Sequence, residues 1–201
     1  KYEIYEAYKS ETKFPDLFIF SEQDYLAEIK KETNRGIILE VINNNEGEKT
    51  VFKKGETLSI IVGNQNFENL VRLPNVMNDV TKINAVLTER YKTKNIFLKD
   101  ISYKTFRDTL NFIKQAYTFE EGSQILFMAA SHGLKDNFGL GYLCFTDTQN
   151  DDNMATSFEL QTLKRVLSSF GATNTFMIMD ICHSGLAFEE NNCTSIPTPE
   201  I

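Results

Sequence analysis

Short apolar runs alternate with amphipathic segments from residue 57 onward, and this alternation constrains the fold more than any other feature of the chain. Four runs have the length and composition of buried strands: residues 58–62, 95–98, 124–130 and 174–179. Continuous apolar runs of about four to eight residues are typical of strands covered on both faces. Strands that alternate with helices favour right-handed crossovers. The sequence therefore predicts an α/β fold with a mostly parallel sheet and helices on both faces.

Three amphipathic segments supply the helices, because their apolar residues recur three or four positions apart. These residues are Val76, Val80, Ile83 and Leu87 in the first segment, Phe106, Leu110, Ile113 and Tyr117 in the second, and Leu160, Leu163, Val166, Leu167 and Phe170 in the third. Thr156-x-x-Glu159 has the form of a capping box and predicts the start of the third helix. A further strand is expected at residues 140–145.

Residues 1–55 have a different pattern and are predicted to form a small α+β segment. Ser21 to Asp24 could cap a helix that runs to about residue 33. Residues 36–42 predict a strand, residues 43–47 a turn, and residues 50–52 the returning strand. We interpret the following Lys53-Lys54-Gly55 as a linker. Three parts are therefore expected: an N-terminal segment at 1–55, an α/β domain at 56–190 and a linker or tail at 191–201.

The composition excludes several classes of protein. Hydrophobic residues make up 41% and charged residues 24%, which is ordinary for a globular domain and excludes a disordered chain. The net charge of −7 and the lack of a basic stripe argue against direct contact with nucleic acid. No apolar run approaches the ~20 residues that span a bilayer, so no membrane contact is expected. Three cysteines without a Cys-x-x-Cys pair argue against a disulfide framework and a zinc site, and favour a reducing, cytoplasmic setting.

Two of the predicted buried strands run directly into residues that carry chemistry. One leads into Ser131-His132-Gly133 and the other into Asp180-Ile-Cys182. In open α/β sheets the ligand site lies beyond the carboxyl ends of the strands, so both segments are expected at that edge. A free thiol has a pKa near ~8.5, so a cysteine nucleophile needs a base such as histidine. We predict Cys182 as the nucleophile, His132 as base and then acid, and the N–H groups of Gly133 and Cys182 as oxyanion donors.

These motifs, taken in order, resemble the large-subunit region of caspase-like cysteine peptidases, the group of caspases, metacaspases and paracaspases. Asp180-Ile-Cys182-His-Ser-Gly185 is similar to the metacaspase motif Asp-Ser-Cys-His-Ser-Gly, with Ile181 as the one change. Ser131-His132-Gly133 is similar to the caspase form Ser-His-Gly, and His132 precedes Cys182 by about 50 residues, as in caspases. Residues 58–64 and 73–80 resemble the first strand and a following segment of the family.

The resemblance implies a three-layer sandwich of the caspase–hemoglobinase type and an endopeptidase that forms a thioester intermediate. In metacaspases the acidic positions that match Asp79 and Asp180 line the S1 pocket, which implies cleavage after Arg or Lys. Specificity for Asp or for another P1 residue is the alternative. Caspases use a basic S1 pocket for Asp, and Asp180 would oppose the nearby Arg72 in that role.

The resemblance also bears on cofactors and partners. Many metacaspases build a calcium site partly from an Asp-Asp pair before the last helix, where this chain has Thr156-Ser-Phe-Glu159. We therefore expect no cofactor, with calcium at Asp147, Asp151 and Asp152 as the alternative. The small-subunit region has no counterpart here, so the chain is expected to be a processed or truncated piece. The expected partners are a protein substrate, the small-subunit region of the same precursor and an activating sensor, to which residues 1–55 could belong.

Simpler roles exist for each of these residues. A lone cysteine such as Cys182 is often a small buried hydrophobic residue, and His132 could be an ordinary surface histidine. Asp180 could cap the turn that follows it, and Asp79 could interact with the dipole of a helix N-terminus. The corresponding alternative function is a catalytically silent caspase-like module that binds a partner.

Overall fold

The computed structural model describes residues 17–18, 36–39, 41–42, 49–149 and 154–182, and the architecture is that of these residues. Several predictions fall outside this part of the chain. They are the helix at residues 21–33, the turn at residues 43–47, the tail at residues 191–201 and the acidic residues Asp151 and Asp152.

Strands and helices alternate through most of the described chain. The strands are β1 (Leu17–Phe18), β2 (Gly36–Leu39), β3 (Val41–Ile42), β4 (Thr50–Phe52), β5 (Thr57–Gly63), β6 (Lys94–Lys99), β7 (Tyr117–Phe119), β8 (Gln124–Ala130), β9 (Gly133–Lys135), β10 (Gly141–Cys144), β11 (Ser157–Glu159) and β12 (Asn174–Asp180). The helices are α1 (Val76–Glu89), α2 (Tyr103–Ala116) and α3 (Leu160–Ser168), with a 3₁₀ turn at Met154–Thr156. None of the helices in the described residues is long and apolar enough to cross a membrane.

A five-stranded sheet in the order β12-β8-β5-β6-β2 forms the centre of the fold. The first four strands are parallel, and β2 pairs with β6 in the antiparallel direction. The predicted α/β fold with a mostly parallel sheet is therefore confirmed. Because β2 belongs to this sheet, strand pairing crosses the boundary that the sequence predicts at residue 55.

Helices cover both faces of the sheet, as the alternation predicts. On one face α2 and α3 pack against β5, β6 and β8 through the larger core, which includes Phe106, Ile113, Leu163 and Phe127. On the other face α1 places Val80 against a smaller core of Ile61, Phe97, Met128 and Ala130. Each strand thus alternates its side chains between the two layers, which gives a three-layer sandwich.

Three smaller sheets accompany the main one, and the shortest is the antiparallel pair of β1 and β3. Strands β9, β10 and β11 form an antiparallel sheet, which follows the carboxyl end of β8. The strand at Thr50–Phe52 exists, but the prediction that it returns along residues 36–42 is wrong. It pairs in parallel with β7, and the Phe52 ring packs on those of Tyr117 and Phe119. Tyr117, predicted on the face of a helix, is accordingly the first residue of β7.

The capping box predicted at Thr156 to Glu159 does not form. Residues Ser157–Glu159 are a strand that pairs with β10, so the chain is extended where the box would require a first helical turn. Thr156 Oγ1 donates instead to the carbonyl of Asp147, 3.1 Å away. The helix begins at Leu160, and the Glu159 carboxylate accepts from the Thr162 hydroxyl. Cross-strand pairing has therefore displaced the local motif.

The run at residues 174–179 is a strand, but the prediction that it is buried on both faces is wrong. Among the described residues β12 pairs only with β8, which makes it the edge of the main sheet. Met177 and Met179 pack on the larger core, whereas Phe176 and Ile178 on the opposite face are 53% and 51% exposed. The apolar run marks a surface that α1 does not cover.

We expect Phe106→Ala to lower the free energy of unfolding by about 3–5 kcal/mol, since it would leave a cavity that a close-packed core fills only in part. Phe106 is fully buried, and its ring meets those of Phe127, Phe145 and Phe158 at 4.9 to 6.1 Å. Phe138→Ala is the matched control, because Phe138 is 90% exposed and should lose less than about 0.5 kcal/mol. Urea denaturation followed by circular dichroism measures both. Equal losses would contradict the assignment of the core.

Candidate active site

The two strand ends that carry His132 and Cys182 lie next to each other. Strands β8 and β12 are neighbours, and the register pairs Ala130 with Asp180 at their carboxyl ends. Just beyond this pair, the Ser131 N–H donates to the carbonyl of Asp180 over 3.3 Å. The segments that bear the histidine and the cysteine therefore leave the sheet side by side.

The backbones of Gly133 and Cys182 approach so closely that no side chain fits between them. A Cβ atom at position 133 would lie 2.1 Å from the carbonyl oxygen of Cys182, well inside van der Waals contact. Cys182 itself is exposed and its thiol is free. Glycine is required at position 133 because the backbone that carries Cys182 occupies the space of a side chain. The structure thus brings together His132, Gly133 and Cys182.

A backbone carbonyl orients the ring of His132. The Nε2 atom of His132 lies 2.7 Å from the carbonyl oxygen of Val71. A carbonyl only accepts, so Nε2 carries the proton and Nδ1 of the neutral ring is left with a free lone pair. The ring of Phe67 packs on the other side of the imidazole, with 4.8 Å between centroids and a tilt of 56°. This arrangement selects the tautomer in which Nδ1 is a base.

Asn64 ties together the segments that surround these residues. Its side chain is fully buried, and its Oδ1 accepts from the Ile101 N–H at 3.0 Å. Its Nδ2 donates to the Cys144 carbonyl at 3.1 Å and lies 3.5 Å from Ser131 Oγ. The backbone N–H of Asn64 donates to the carbonyl of Ala130 at 3.0 Å. One residue thereby connects the carboxyl ends of β5, β6, β8 and β10.

Cys144 and Cys182 differ in their surroundings. Cys144 is buried, as the apolar pattern predicts, and burial raises the pKa of its thiol to about 12. Burial is the largest cause, and a negative charge on Cys182 acts in the same direction on the pKa of Cys144. The exposed Cys182 is the one of the two that can reach a substrate.

Asp79 and Asp180 both lie at the carboxyl edge of the sheet and are exposed. Met179 and Ile181 pack toward α2 and α3, so the alternation of β12 turns Asp180 to the face that α1 covers. Asp79 stands in the first turn of α1, where its Oδ1 accepts from Asn78 Nδ2 at 3.3 Å. The helix packs over β5 and β6, with β8 between these strands and Asp180. The two carboxylates share an edge and a face but stand on separate elements.

Of the three acidic residues predicted as alternative calcium ligands, the structure describes Asp147, and its carboxylate has another partner. Asp147 Oδ1 accepts from the Tyr103 N–H over 2.8 Å, at the N-terminus of α2. Within residues 49–149 and 154–182, no group of three or more histidine, cysteine or acidic side chains could hold a metal ion.

The solved structures that resemble the chain include a crystal structure of the Drosophila initiator caspase Dronc. That neighbour is a caspase. The TM-score is 0.42 and the sequence identity 11%, over 71% of this chain and 61% of that one. The aligned part is therefore less than two thirds of the length of the Dronc chain. No protein-family model and no curated protein matches the sequence.

Val71, Asn64, Asp100 and Phe67 also shape the site but are not among the residues that the sequence predicts there. Val71 contributes only its carbonyl oxygen, which every residue type possesses, so its side chain gives no signal. Asn64 follows the apolar run of β5 directly, and a polar residue at the end of a buried strand is a signal that could have identified it. Asp100 occupies the same position after β6 and has a positive φ of 48°.

We expect alkylation to separate the two described cysteines. At pH 8 a thiol with a pKa near 12 is about one part in ten thousand thiolate, so folded Cys144 should resist iodoacetamide while exposed Cys182 reacts. Peptide mass mapping over a time course measures both rates. Unfolding in urea should make the rates equal. Comparable rates in the folded protein would contradict the burial of Cys144.

Proposed function

We propose that the chain carries the nucleophile and the base of a cysteine endopeptidase and corresponds to the large-subunit part of a caspase-like enzyme. The observation that carries this proposal is the backbone contact between Gly133 and Cys182, because it sets the cysteine beside a histidine of defined orientation. In the neutral imidazole the hydrogen bond to Val71 places the proton on Nε2, so Nδ1 has the lone pair that a general base requires.

Acylation uses the two residues in sequence. Nδ1 of His132 takes the proton of the Cys182 thiol, and the thiolate attacks the carbonyl carbon of the scissile peptide bond. The imidazolium ion keeps its Nε2–H bond to the Val71 carbonyl, which stabilises the positive charge. The tetrahedral oxyanion accepts from the N–H groups of Gly133 and Cys182. When the intermediate collapses, Nδ1–H protonates the leaving amine and a thioester remains.

Deacylation repeats these steps with water. Nδ1 of His132 removes a proton from a water molecule, which attacks the thioester carbonyl. The second tetrahedral intermediate expels the Cys182 thiolate, which recovers the proton from the imidazolium ion. The carboxylic acid product leaves, and the enzyme returns to its starting state with no cofactor and no net change in charge.

For the substrate, we propose Arg or Lys at P1. Asp180 is an exposed carboxylate two residues before the nucleophile, and this closeness in sequence supports a role for it in binding the P1 side chain. A carboxylate there forms charge-assisted hydrogen bonds with a basic side chain and repels an acidic one. Asp79 stands on the same face of the sheet, and its negative charge attracts the basic P1 side chain from a greater distance. Selectivity for Asp or another residue at P1 is the alternative.

The proposed partner of the catalytic unit is the small-subunit region of the same precursor. Edge strand β12 exposes Phe176 and Ile178, and among the described residues its outer edge pairs with no other strand. Since β12 runs directly into Cys182, a segment that docks there would stand beside the nucleophile. We further propose that a sensor domain activates the enzyme and that its substrate is a protein. We also propose a reducing, cytoplasmic setting, because such a setting keeps a catalytic thiol free.

We expect a peptidyl-Arg chloromethylketone to alkylate Cys182, and Cys182→Ala to abolish the labelling. His132→Ala should slow it by about 100-fold or more, since a positioned general base contributes 10²–10⁴-fold. His183→Ala replaces the other histidine and is the matched control. Intact-protein mass spectrometry gives the rates. Equal rates in the two histidine variants would contradict the proposed base and favour a catalytically silent, partner-binding module.

We expect the full-length protein to cleave fluorogenic peptides after Arg or Lys at least tenfold faster than after Asp. Asp180→Asn should lower kcat/KM for Arg peptides by about tenfold or more, because one charge-assisted hydrogen bond is worth about 1.5–3 kcal/mol. Asp108→Asn is the control, since that exposed carboxylate pairs with Lys104 on α2. Turnover specific for Asp would overturn the proposed pocket and leave the dyad untouched.

A further inference from the structure

A buried carboxylate holds the loop that orients His132, although it touches neither the histidine nor the cysteine. Asp100 follows β6 and is 5% exposed. Its Oδ1 accepts from the backbone N–H groups of Gln65 and Asn66 at 2.6 and 2.9 Å, and its Oδ2 accepts from Asn66 Nδ2 at 2.7 Å. All three donors belong to two consecutive residues, so the carboxylate fixes one point of the loop that follows β5.

From this point the loop runs to Val71 through further hydrogen bonds. The Leu73 N–H donates to the Gln65 carbonyl at 2.9 Å, which closes the loop at its base. Arg72 Nε donates to Asn66 Oδ1 at 3.0 Å. Val71 lies between these contacts with its side chain 79% exposed, so its own packing does not hold it in place. Further along the loop, the Glu68 N–H donates to the Thr146 carbonyl at 2.9 Å and Asn69 Nδ2 donates to the Thr148 carbonyl at 3.3 Å. The contacts that flank Val71 directly are those of Leu73 and Arg72, and both lead back to Gln65 and Asn66, the residues that Asp100 binds.

We propose that Asp100 is a positioning residue: by binding residues 65 and 66 it holds the Val71 carbonyl against Nε2 of His132 and thereby fixes the tautomer of the catalytic base. The inference rests on the proposed function, in which Nδ1 of His132 receives the thiol proton. The geometry it uses is independent of any substrate. Its chain of contacts runs from the Asp100 carboxylate to Asn66, Arg72, Val71 and His132.

The chain offers a matched control in Asp136. This carboxylate also accepts two backbone N–H bonds, from Phe138 at 2.9 Å and Leu140 at 2.8 Å, and one side-chain bond, from Tyr142 OH at 3.0 Å. It holds the turn between β9 and β10 rather than the loop that carries Val71. Each carboxylate thus accepts from two backbone N–H groups and one side chain. Asp100→Asn and Asp136→Asn therefore each remove one negative charge that faces three donors.

Nitrogen-15 NMR of the imidazole rings tests the proposal without any substrate. The chain has two histidines, so a His183→Gln variant assigns both signals. We expect wild-type His132 to show a protonated Nε2 with a slowly exchanging N–H signal. Asp100→Asn should broaden or abolish that signal and mix the two tautomers, and should slow alkylation of Cys182 about tenfold. Asp136→Asn should change neither. A wild-type His132 spectrum in folded Asp100→Asn protein would overturn the proposal, as would equal effects of the two variants.

Two further variants separate positioning from loss of stability. Asn66→Ala removes one donor to Asp100 at an exposed position, and should shift the His132 signals in the same direction by a smaller amount. The double variant Asp100→Asn with Asn66→Asp reverses the polarity of the side-chain bond and gives Arg72 a carboxylate partner. It should restore the slowly exchanging Nε2–H signal. Failure of both variants to act in these directions would assign Asp100 a purely structural role.

The outcome also separates this inference from the proposed function. If no peptide is cleaved and no chloromethylketone reacts, but Asp100→Asn still releases the His132 ring, the peptidase proposal fails and the positioning role stands. If peptides are cleaved and the His132 spectrum of Asp100→Asn is unchanged, the positioning role fails alone.

Discussion

The buried side chain of Asn64 is the constraint on which the carboxyl edge of the sheet depends. Its amide oxygen accepts from Ile101, and its amide nitrogen donates to Cys144 and faces Ser131. The ends of the parallel strands β5, β6 and β8 meet the end of β10 at this edge, and each strand ends its ladder with backbone groups that need new partners. A buried donor or acceptor without a partner costs about 1–3 kcal/mol. The neutral amide of Asn64, directly after β5, meets these demands because it carries both a donor and an acceptor.

The main sheet and the hydrogen bonds at its carboxyl edge explain how two residues 50 positions apart reach one site. The parallel pairing of β8 with β12 delivers Ser131-His132-Gly133 and Ile181-Cys182 to the same edge, and the absence of a side chain at Gly133 permits the final approach. The sheet and these hydrogen bonds do not, however, orient the imidazole ring of His132. That task falls to an exposed loop, which Asp100 binds through charged hydrogen bonds that are stronger than neutral ones. Placement of the site and selection of the tautomer are thus separate physical problems.

The sequence predicts the strands and helices that local patterns determine, and it misses the contacts that depend on neighbouring elements of the fold. The apolar runs of β5, β6 and β8 and the helical spacing of Val80 and Phe106 identify elements that the structure contains. The predicted partner of the strand at residues 50–52 is wrong, and the predicted capping box at Thr156 is replaced by a strand that pairs with β10. Strand pairing depends on elements that are distant in the sequence, so local patterns do not determine it. Of the site, the positions of His132 and Cys182 follow from the ends of parallel strands. The carbonyl of Val71 could not be predicted, because a backbone oxygen has no sequence signature.

In the proposed enzyme, the exposed face of β12 would link P1 specificity to the element that covers this face. Alternation along this strand places Phe176, Ile178 and Asp180 on one face, at successive positions toward the nucleophile. An element that buries the two apolar side chains and extends one position further along this face would reduce the contact of the Asp180 carboxylate with water. A less hydrated carboxylate binds an Arg or Lys side chain more strongly, because the Coulomb attraction rises as the effective dielectric falls. In the proposed enzyme, the docking that completes the sheet would thus also sharpen the preference for a basic residue at P1.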